Sequence, residues 1–271
     1  MPAPSRPMTH TISILPSFET MMSMLPITPT ILTLTPRYVI FAPIPKHDLQ
    51  RSAPGIVRCT ATYDTTNLLP VSGGLFDESI FGAVDFAANR YDDPNVIVRG
   101  DRLTRFGRIV LAEPTAHPLL AGVLLTDLPV LPAGLRPVIV QDGEPRMTDL
   151  NRLYIEVLCH NNRIIQYRKL AIPSALEALL AEQAHLTKAI SALMNNEALE
   201  DPVRNSSGEV LQSLVGSLGS SPAAVGALLD EHVSRGGNLH GRLPVQIHRI
   251  VATLWALGII VMPKALDRDA L

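Results

Sequence analysis

Acidic side chains at close spacing are the first residues in this chain that could bind a metal ion. Asp85, Asp92 and Asp93 fall within one short polar stretch, and carboxylate oxygens are the ligands that hard cations prefer. Aspartates in such a stretch are also typical of a solvated turn. We favour the turn, and we predict no metal site at these residues.

Two cysteines offer thiol chemistry, but their positions do not favour it. Cys59 and Cys159 are far apart in the sequence and lack the paired spacing of a zinc site. Free, buried thiols are typical of a protein in the reducing cytosol. The cysteines therefore predict a cytoplasmic protein without a cofactor.

Four arginines form the one basic cluster of note: Arg99, Arg102, Arg105 and Arg108. Guanidinium groups at this density can face a phosphate backbone. They can equally form ion pairs with Asp101 and Glu113 on a solvated surface. Both interpretations remain open, and the cluster is a candidate nucleic-acid-facing surface.

The overall composition argues against an enzyme and against an autonomous nucleic-acid-binding protein. The 271 residues are 46% hydrophobic and 18% charged, with a formal net charge of -2, whereas binding by charge alone normally requires a basic excess. The chain also shows no paired nucleophile and base and no phosphate-binding glycine loop. We therefore predict no catalytic centre on this chain, and contact with DNA only within a complex.

Residues 148–196 carry the clearest periodic pattern, with apolar side chains at helical spacing in two consecutive segments. In the first segment they are Leu150, Leu153, Tyr154, Val157, Leu158, Ile164 and Ile165. In the second they are Leu176, Leu179, Leu180, Leu186, Ile190, Leu193 and Met194. Two such helices joined by a short turn should pack as an antiparallel hairpin that resembles a short coiled coil. A hairpin of this kind typically serves as a docking site for a partner protein.

Local signals place the ends of these two helices. Thr148 and Asp149 stand where the first helix needs an N-cap. Pro173 ends that helix, because a proline disfavours the helical conformation at the residue before it. Ser174 and Glu177 then have the spacing of a capping box, which opens the second helix.

The two ends of the chain differ from its centre. Residues 1–36 are rich in proline, and their apolar runs are shorter than the roughly 18–20 residues needed to span a membrane. They also lack the basic head of a signal peptide, so we predict a loosely ordered lead. Residues 222–271 predict helices and a strand at 259–261. Helices that simply pack are favoured over a winged helix that would present His248 and Arg249 to DNA.

Several short sequence motifs, here called phrases, are closely similar to motifs of one protein family. Residues 128–132 read LPVLP, residues 135–137 read LRP, and DLN and NNR follow at 149–151 and 161–163. Upstream, GLF and IFG stand at 74–76 and 80–82, and a further similar segment runs from Val98 to His117. In this order and spacing, the phrases resemble the N-terminal clamp region of the β′ subunit of bacterial DNA-directed RNA polymerase, in a divergent and truncated form.

The resemblance implies a role in transcription for the helical hairpin. In that family the same phrases lead into the clamp helices, which dock the sigma factor. Positions that match the sigma-contacting ones are Asn161, Asn162, Arg163, Glu182 and Ala189. His160 stands where the family has an arginine, and Ile155 and Glu156 replace a basic pair, so a fixed charge and a bidentate donor are lost.

The resemblance also implies what this chain lacks. The four cysteines of the family's zinc ribbon have no counterpart in residues 83–98, and the aspartate loop that binds magnesium does not occur. The resemblance therefore implies a clamp module that docks a sigma factor or a sigma-like regulator without catalysing a reaction. Two alternatives are a subunit of a split or divergent, phage-like polymerase that acts only when assembled with other subunits, and a DNA-binding adaptor that uses the C-terminal helices.

The predicted fold class is α+β: a small β-containing clamp core, a protruding antiparallel two-helix coiled coil and a C-terminal helical segment. The predicted divisions are a lead at 1–36, a clamp core without the zinc ribbon at 37–147, the hairpin at 148–196, a linker at 197–221 and the helical segment at 222–271.

Overall fold

The computed structural model describes residues 37–64, 66, 69–82, 104–141, 144–170, 175–219, 222–234 and 243–265, which form a mixed α/β structure with small sheets. The described residues form seven α-helices, α1 (Lys46–Ser52), α2 (Glu78–Phe81), α3 (Asp149–Leu170), α4 (Ala175–Asn195), α5 (Leu214–Ser217), α6 (Pro222–Ser234) and α7 (Val245–Ala256). Their strands are β1 (Arg37–Pro43), β2 (Gly55–Ile56), β3 (Gly107–Ala116), β4 (Leu124–Val130), β5 (Val138–Gln141), β6 (Glu144–Met147) and β7 (Ile259–Ala265). None of the described helices is both long and apolar enough to cross a membrane.

These results support the α+β prediction at the level of fold class. The two central helices lie where the periodicity predicts them, and Thr148 caps α3 by accepting backbone hydrogen bonds from Asn151 and Arg152 at 3.0 and 3.3 Å. The coiled-coil character of the helix pair stays a prediction. The lead at 1–36, the replaced zinc ribbon and the aspartates at 85, 92 and 93 lie outside the described residues.

The strands form three small sheets. β1 and β7 pair antiparallel, with Phe41 opposite Val261, so distant parts of the chain share one sheet. β3 lies between β2, which runs parallel to it, and β4, which runs antiparallel. β5 and β6 form a separate antiparallel pair just before α3. The sequence predicts strands at 38–41 and 259–261 but not their pairing.

A β-bulge in β3 fixes the position of α3. The register between β3 and β4 shifts between Val110 and Thr115, and a bulge leaves backbone groups without ladder partners. The buried side chain of Asn161 supplies those partners: its Oδ1 accepts from the amide of Ala112 at 2.7 Å, and its Nδ2 donates to the carbonyl of Val110 at 3.0 Å. One primary amide thus satisfies both sides of the bulge and holds α3 against the sheet.

The fully buried side chain of Arg136 joins the segments that carry the recognisable phrases. Its guanidinium donates to the carbonyl of Leu131 at 2.9 Å, to Oδ1 of Asn151 at 2.8 Å and to the carbonyl of Leu75 at 2.5 Å. Three aromatic rings face it, with centroids at 4.7–5.9 Å: Phe76, Phe81 and Tyr154. A buried charge is tolerated only when such partners replace its water, so this residue dictates how the surrounding backbone is arranged.

The segment after α4, which the sequence predicts to be a linker, is fastened to the end of that helix. The buried side chain of Asn196 donates to the carbonyls of Val203 and Leu211, each at 2.8 Å, and accepts from the amide of Val203 at 2.8 Å. Glu197 accepts a hydrogen bond from the amide of Ser213 at 2.9 Å. These bonds hold residues 197–213 against the folded core.

His117 links the end of β3 to the end of α7. Its Nδ1 accepts from the amides of Leu119 and Leu120, so Nε2 carries the proton and donates to the carbonyl of Leu257 at 2.7 Å. Burial lowers the pKa of His117 below its ordinary value of 6.5, although the bond to Leu257 opposes this shift. The folded state therefore holds the neutral ring.

We expect His117 to make stability depend on pH. The unfolded chain takes up the proton first, so stability is fully present above about pH 6.5 and declines as the pH falls through the lowered pKa of the folded state. Urea unfolding at several pH values between about 7.5 and 5.5 should show this slope in the wild type and a flatter slope in His117→Gln. The exposed His47 offers the control, because His47→Ala should keep the wild-type slope.

We expect Asn161→Ala to lower the free energy of unfolding by about 1–3 kcal/mol, because the substitution leaves two buried backbone groups at the bulge without partners. Asn162→Ala is the matched control. Its side-chain amide makes a single bond of 2.8 Å, to the carbonyl of Arg58, at a half-buried position, and we expect a change within about 1 kcal/mol. Urea unfolding followed by circular dichroism measures both. Equal losses in the two variants would contradict the role given to Asn161.

Candidate partner-binding site

α3 and α4 pack against each other and are joined through residues 171–174, which lie outside the described residues. A polar contact connects them midway. Glu182 on α4 forms a 2.6 Å hydrogen bond with Nδ1 of His160 and a 3.3 Å ion pair with Arg163, both on α3. The middle of α3 thus lies beside the first half of α4.

The apolar stripe of this helix pair divides into a buried half and an exposed half. Leu158 and Ile164 on α3, and Leu186 and Ile190 on α4, are at most 1% exposed. Close to the connection between the helices, four apolar side chains are instead 37–60% exposed: Ile165, Leu170, Leu176 and Leu180. We call these four residues the exposed apolar end. The sequence pattern predicts one continuous stripe and does not distinguish its halves.

The structure separates the five residues predicted to bind a partner. Asn161 is 3% exposed and holds the bulge, and Ala189 is 7% exposed within the core. Asn162 is half-buried and bonded to Arg58, whereas the side chain of Arg163 is 54% exposed. Only Arg163 therefore presents most of its side chain to solvent near the exposed apolar end.

The electrostatics around Glu182 keep this carboxyl ionised. The residue is only 9% exposed, and burial alone would raise the pKa of Glu182. The hydrogen bond and charge of His160, together with the charge of Arg163, outweigh burial and lower the pKa. Glu182 thus stabilises the contact between the helices more than it offers a free charge to a partner.

A second polar contact braces the helix pair against the bulge. Glu113 in β3 accepts a 2.9 Å hydrogen bond from Gln183 on α4 and forms an ion pair with Arg168 on α3. Arg168 also donates to the carbonyl of Ala112 at 2.7 Å. The sequence gives no signal for this brace, because its members lie on three elements and show no common motif. Glu113 thus pairs with residues of both helices.

The arginine cluster is only partly described, and its described members contact other parts of the chain. Nη1 of Arg108 lies 2.5 Å from Oδ1 of the buried Asp127, and its Nε donates to the carbonyl of Ala53 at 3.0 Å. Arg105 is exposed and donates to the carbonyl of Ser79 at 3.0 Å. Arg99 and Arg102 lie outside the described residues. Arg108 thus contacts Asp127 and Ala53 within the fold, and the nucleic-acid-facing role of the cluster stays a prediction.

Comparison with known proteins agrees with this arrangement. The family model described as RNA polymerase Rpb1, domain 1, matches residues 120–219, which contain both helices of the pair. The DNA-directed RNA polymerase subunit beta' of Euglena gracilis is 38% identical over 97 residues, which cover 35% of this chain and 16% of that protein. The subunit of the same name from Amborella trichopoda is 31% identical over 133 residues, covering 47% and 19%.

A bacterial relative extends the match. The DNA-directed RNA polymerase subunit beta' of Vibrio vulnificus is 28% identical over 181 residues, which cover 57% of this chain and 13% of that protein. These matches confirm the predicted resemblance to the N-terminal region of β′. The chain spans only 13–19% of the length of these three relatives.

Two leucines on the same helix test the division of the apolar stripe. Leu186 is 1% exposed and Leu180 is 57% exposed. We expect Leu186→Ala to lower the free energy of unfolding by about 2–5 kcal/mol, because it opens a cavity in the core. Leu180→Ala should change it by no more than about 0.5 kcal/mol. Thermal and urea unfolding of both variants check this, and a large loss in Leu180→Ala would show that the end of the pair is packed.

Proposed function

We propose that this chain acts in transcription as a β′-like clamp module, which docks a sigma factor or a similar regulator through the helix pair. The observation that carries this proposal is the exposed apolar end. It lies within the residues that match the polymerase family, and it consists of large apolar side chains that the chain itself leaves in solvent. Several large apolar side chains that are exposed near one end of a helix pair are typical of a protein interface.

The polar surroundings of this end suit a specific contact. Arg163 is largely exposed and lies two residues before Ile165 in α3, so its guanidinium can form a charge-assisted bond with an acidic side chain of the partner. Asn161 and Ala189 are buried, so they do not contact the partner directly. They support docking by fixing the positions of α3 and α4. This assignment gives Arg163 a direct contact with the partner and gives Asn161 and Ala189 an indirect part in docking.

The departures from the family bear on which partner binds. His160, where the family has an arginine, faces Glu182 on the neighbouring helix, and Glu156 is exposed where the family is basic. The surface of the helix pair is therefore less basic than that of the family. A partner with fewer acidic side chains than a typical sigma factor would fit it better, which is why the proposal includes sigma-like regulators.

The proposal carries no catalytic step. The activity in the relatives' name belongs to whole subunits, of which this chain covers a small part. A role as one subunit of a split polymerase remains the alternative outcome of the test, since such a subunit would bind other polymerase subunits through surfaces other than the exposed apolar end.

The test is a binding titration of the purified chain with a purified bacterial sigma factor. We expect the double variant Leu176→Ala, Leu180→Ala to weaken binding by at least about tenfold, because each leucine buried on docking contributes roughly 1.5–3 kcal/mol. Arg163→Ala should also weaken binding, and the loss of affinity should be larger at low salt than at high salt. The matched control is Leu124→Ala, a leucine that is 67% exposed on β4, outside the helix pair.

The outcomes separate the two functions. Binding that the double variant loses and the Leu124 variant keeps supports docking through the helix pair. Sigma binding that all variants share, or no sigma binding together with capture of other purified polymerase subunits, contradicts it and favours the split-polymerase alternative.

A further inference from the structure

Three metal-binding side chains meet between the two helices. His160 on α3 and Glu182 and His185 on α4 each direct one ligand atom into the same place, and these atoms lie within 4.8 Å of one another. The rings of the two histidines have centroids 5.3 Å apart. The sequence predicts no metal site here, because the three residues come from two helices and no short motif contains all of them.

Helix geometry explains why the second helix contributes two of the three. Glu182 and His185 are three residues apart, so their side chains lie on the same face of α4, one turn from each other. Glu-x-x-His at this spacing is also the arrangement by which helix bundles present metal ligands to their interior. His160 approaches from the facing helix and completes the set, already bonded to Glu182 at 2.6 Å.

The geometry points to a site for one divalent transition metal ion at His160, Glu182 and His185, and zinc is the ion that fits best. Two imidazoles and one carboxylate form a ligand set that zinc takes in proteins, with a fourth position left for water or another group. The ligands are too few and too rich in nitrogen for calcium or magnesium, which prefer oxygen ligands.

A metal ion can be accommodated by side-chain rotation alone. Tetrahedral ligands about 2 Å from zinc lie roughly 3.3 Å from one another. The 2.6 Å contact between His160 and Glu182 must therefore open, and the wider separations, which are at most 4.8 Å, must close. His185 is exposed and can rotate without disturbing the core. The metal ion replaces the hydrogen that His160 and Glu182 now share, so the carboxylate stays compensated.

The neighbouring charges are compatible with a cation. Arg163 lies 3.3 Å from Glu182 and opposes a metal ion, but its side chain is 54% exposed and can turn into solvent. Glu156 lies 3.8 Å from Nε2 of His160, and its exposed carboxylate adds negative charge on the other side. The carboxylates of Glu156 and Glu182 outnumber the single guanidinium, so the charges around the cluster favour a cation.

Metal binding would connect α3 and α4 more firmly near the surface proposed to dock a partner. It would also release Arg163 from Glu182, which makes that guanidinium available to an acidic group. The metal site itself does not rest on the proposed docking function, since its ligands and geometry belong to this chain alone.

The test uses the full chain without a histidine tag, titrated with cobalt(II) and with zinc. We expect one ion per chain, visible cobalt absorption of the intensity that a four-coordinate site gives, and displacement of cobalt by zinc. Zinc should also raise the melting temperature, because it binds the folded chain only. His185→Ala and Glu182→Gln should each weaken binding by at least about 10- to 100-fold, the range that even supporting residues of metal sites show.

Two controls keep this test decisive. His47→Ala removes a histidine that is 80% exposed beside Asp48 on α1, and it should leave the affinity unchanged. Circular dichroism verifies that His185→Ala keeps its helices, which its exposed position favours. Absence of cobalt and zinc binding by the wild type, or binding that His185→Ala and Glu182→Gln leave unchanged while His47→Ala weakens it, would overturn the proposal.

Discussion

The buried guanidinium of Arg136 is the constraint on which this structure depends. A charged group without exposure to water is stable only if protein groups replace its hydration, and here two carbonyls, one amide oxygen and three aromatic rings do so. These groups come from the glycine-rich turn around Leu75, from the strand end at Leu131 and from the first turns of α3. The three segments therefore converge on one side chain.

The position of the helix pair follows from this convergence. Asn151 receives Arg136 near the start of α3, and Asn161 occupies the bulge of β3 about three turns later. Tyr154 lies between them, bonded to the carbonyl of Pro129, and burial raises its pKa to about 12. Asn151, Tyr154 and Asn161 thus hold the first half of α3 against the core. The ends of the two helices near their connection lie beyond these contacts, and their apolar side chains are exposed.

The sequence predicts local features of this arrangement well and long-range contacts poorly. Thr148 predicts the start of α3, and Pro173 predicts the break between α3 and α4, since capping and proline effects act within a few residues. The periodicity correctly identifies Leu158 and Leu186 as core residues, but it assigns Leu176 and Leu180 to the same stripe, because a helical pattern does not record where the neighbouring elements end. The pairing of β1 with β7 leaves no local pattern, because its partners lie far apart in the chain. For the same reason the sequence does not reveal the Glu113 contact or the cluster of His160, Glu182 and His185. The resemblance to β′ is what led us to propose the helix pair as the docking region.

We propose that the end of the helix pair near residues 171–174 is the docking surface. Hydrogen–deuterium exchange of the chain, measured with and without a bound sigma factor, tests it most directly. We expect slower exchange in peptides that cover 163–182 and unchanged exchange in β3 and β4. Slower exchange confined to the C-terminal helices α6 and α7, with the helix pair unaffected, would contradict it.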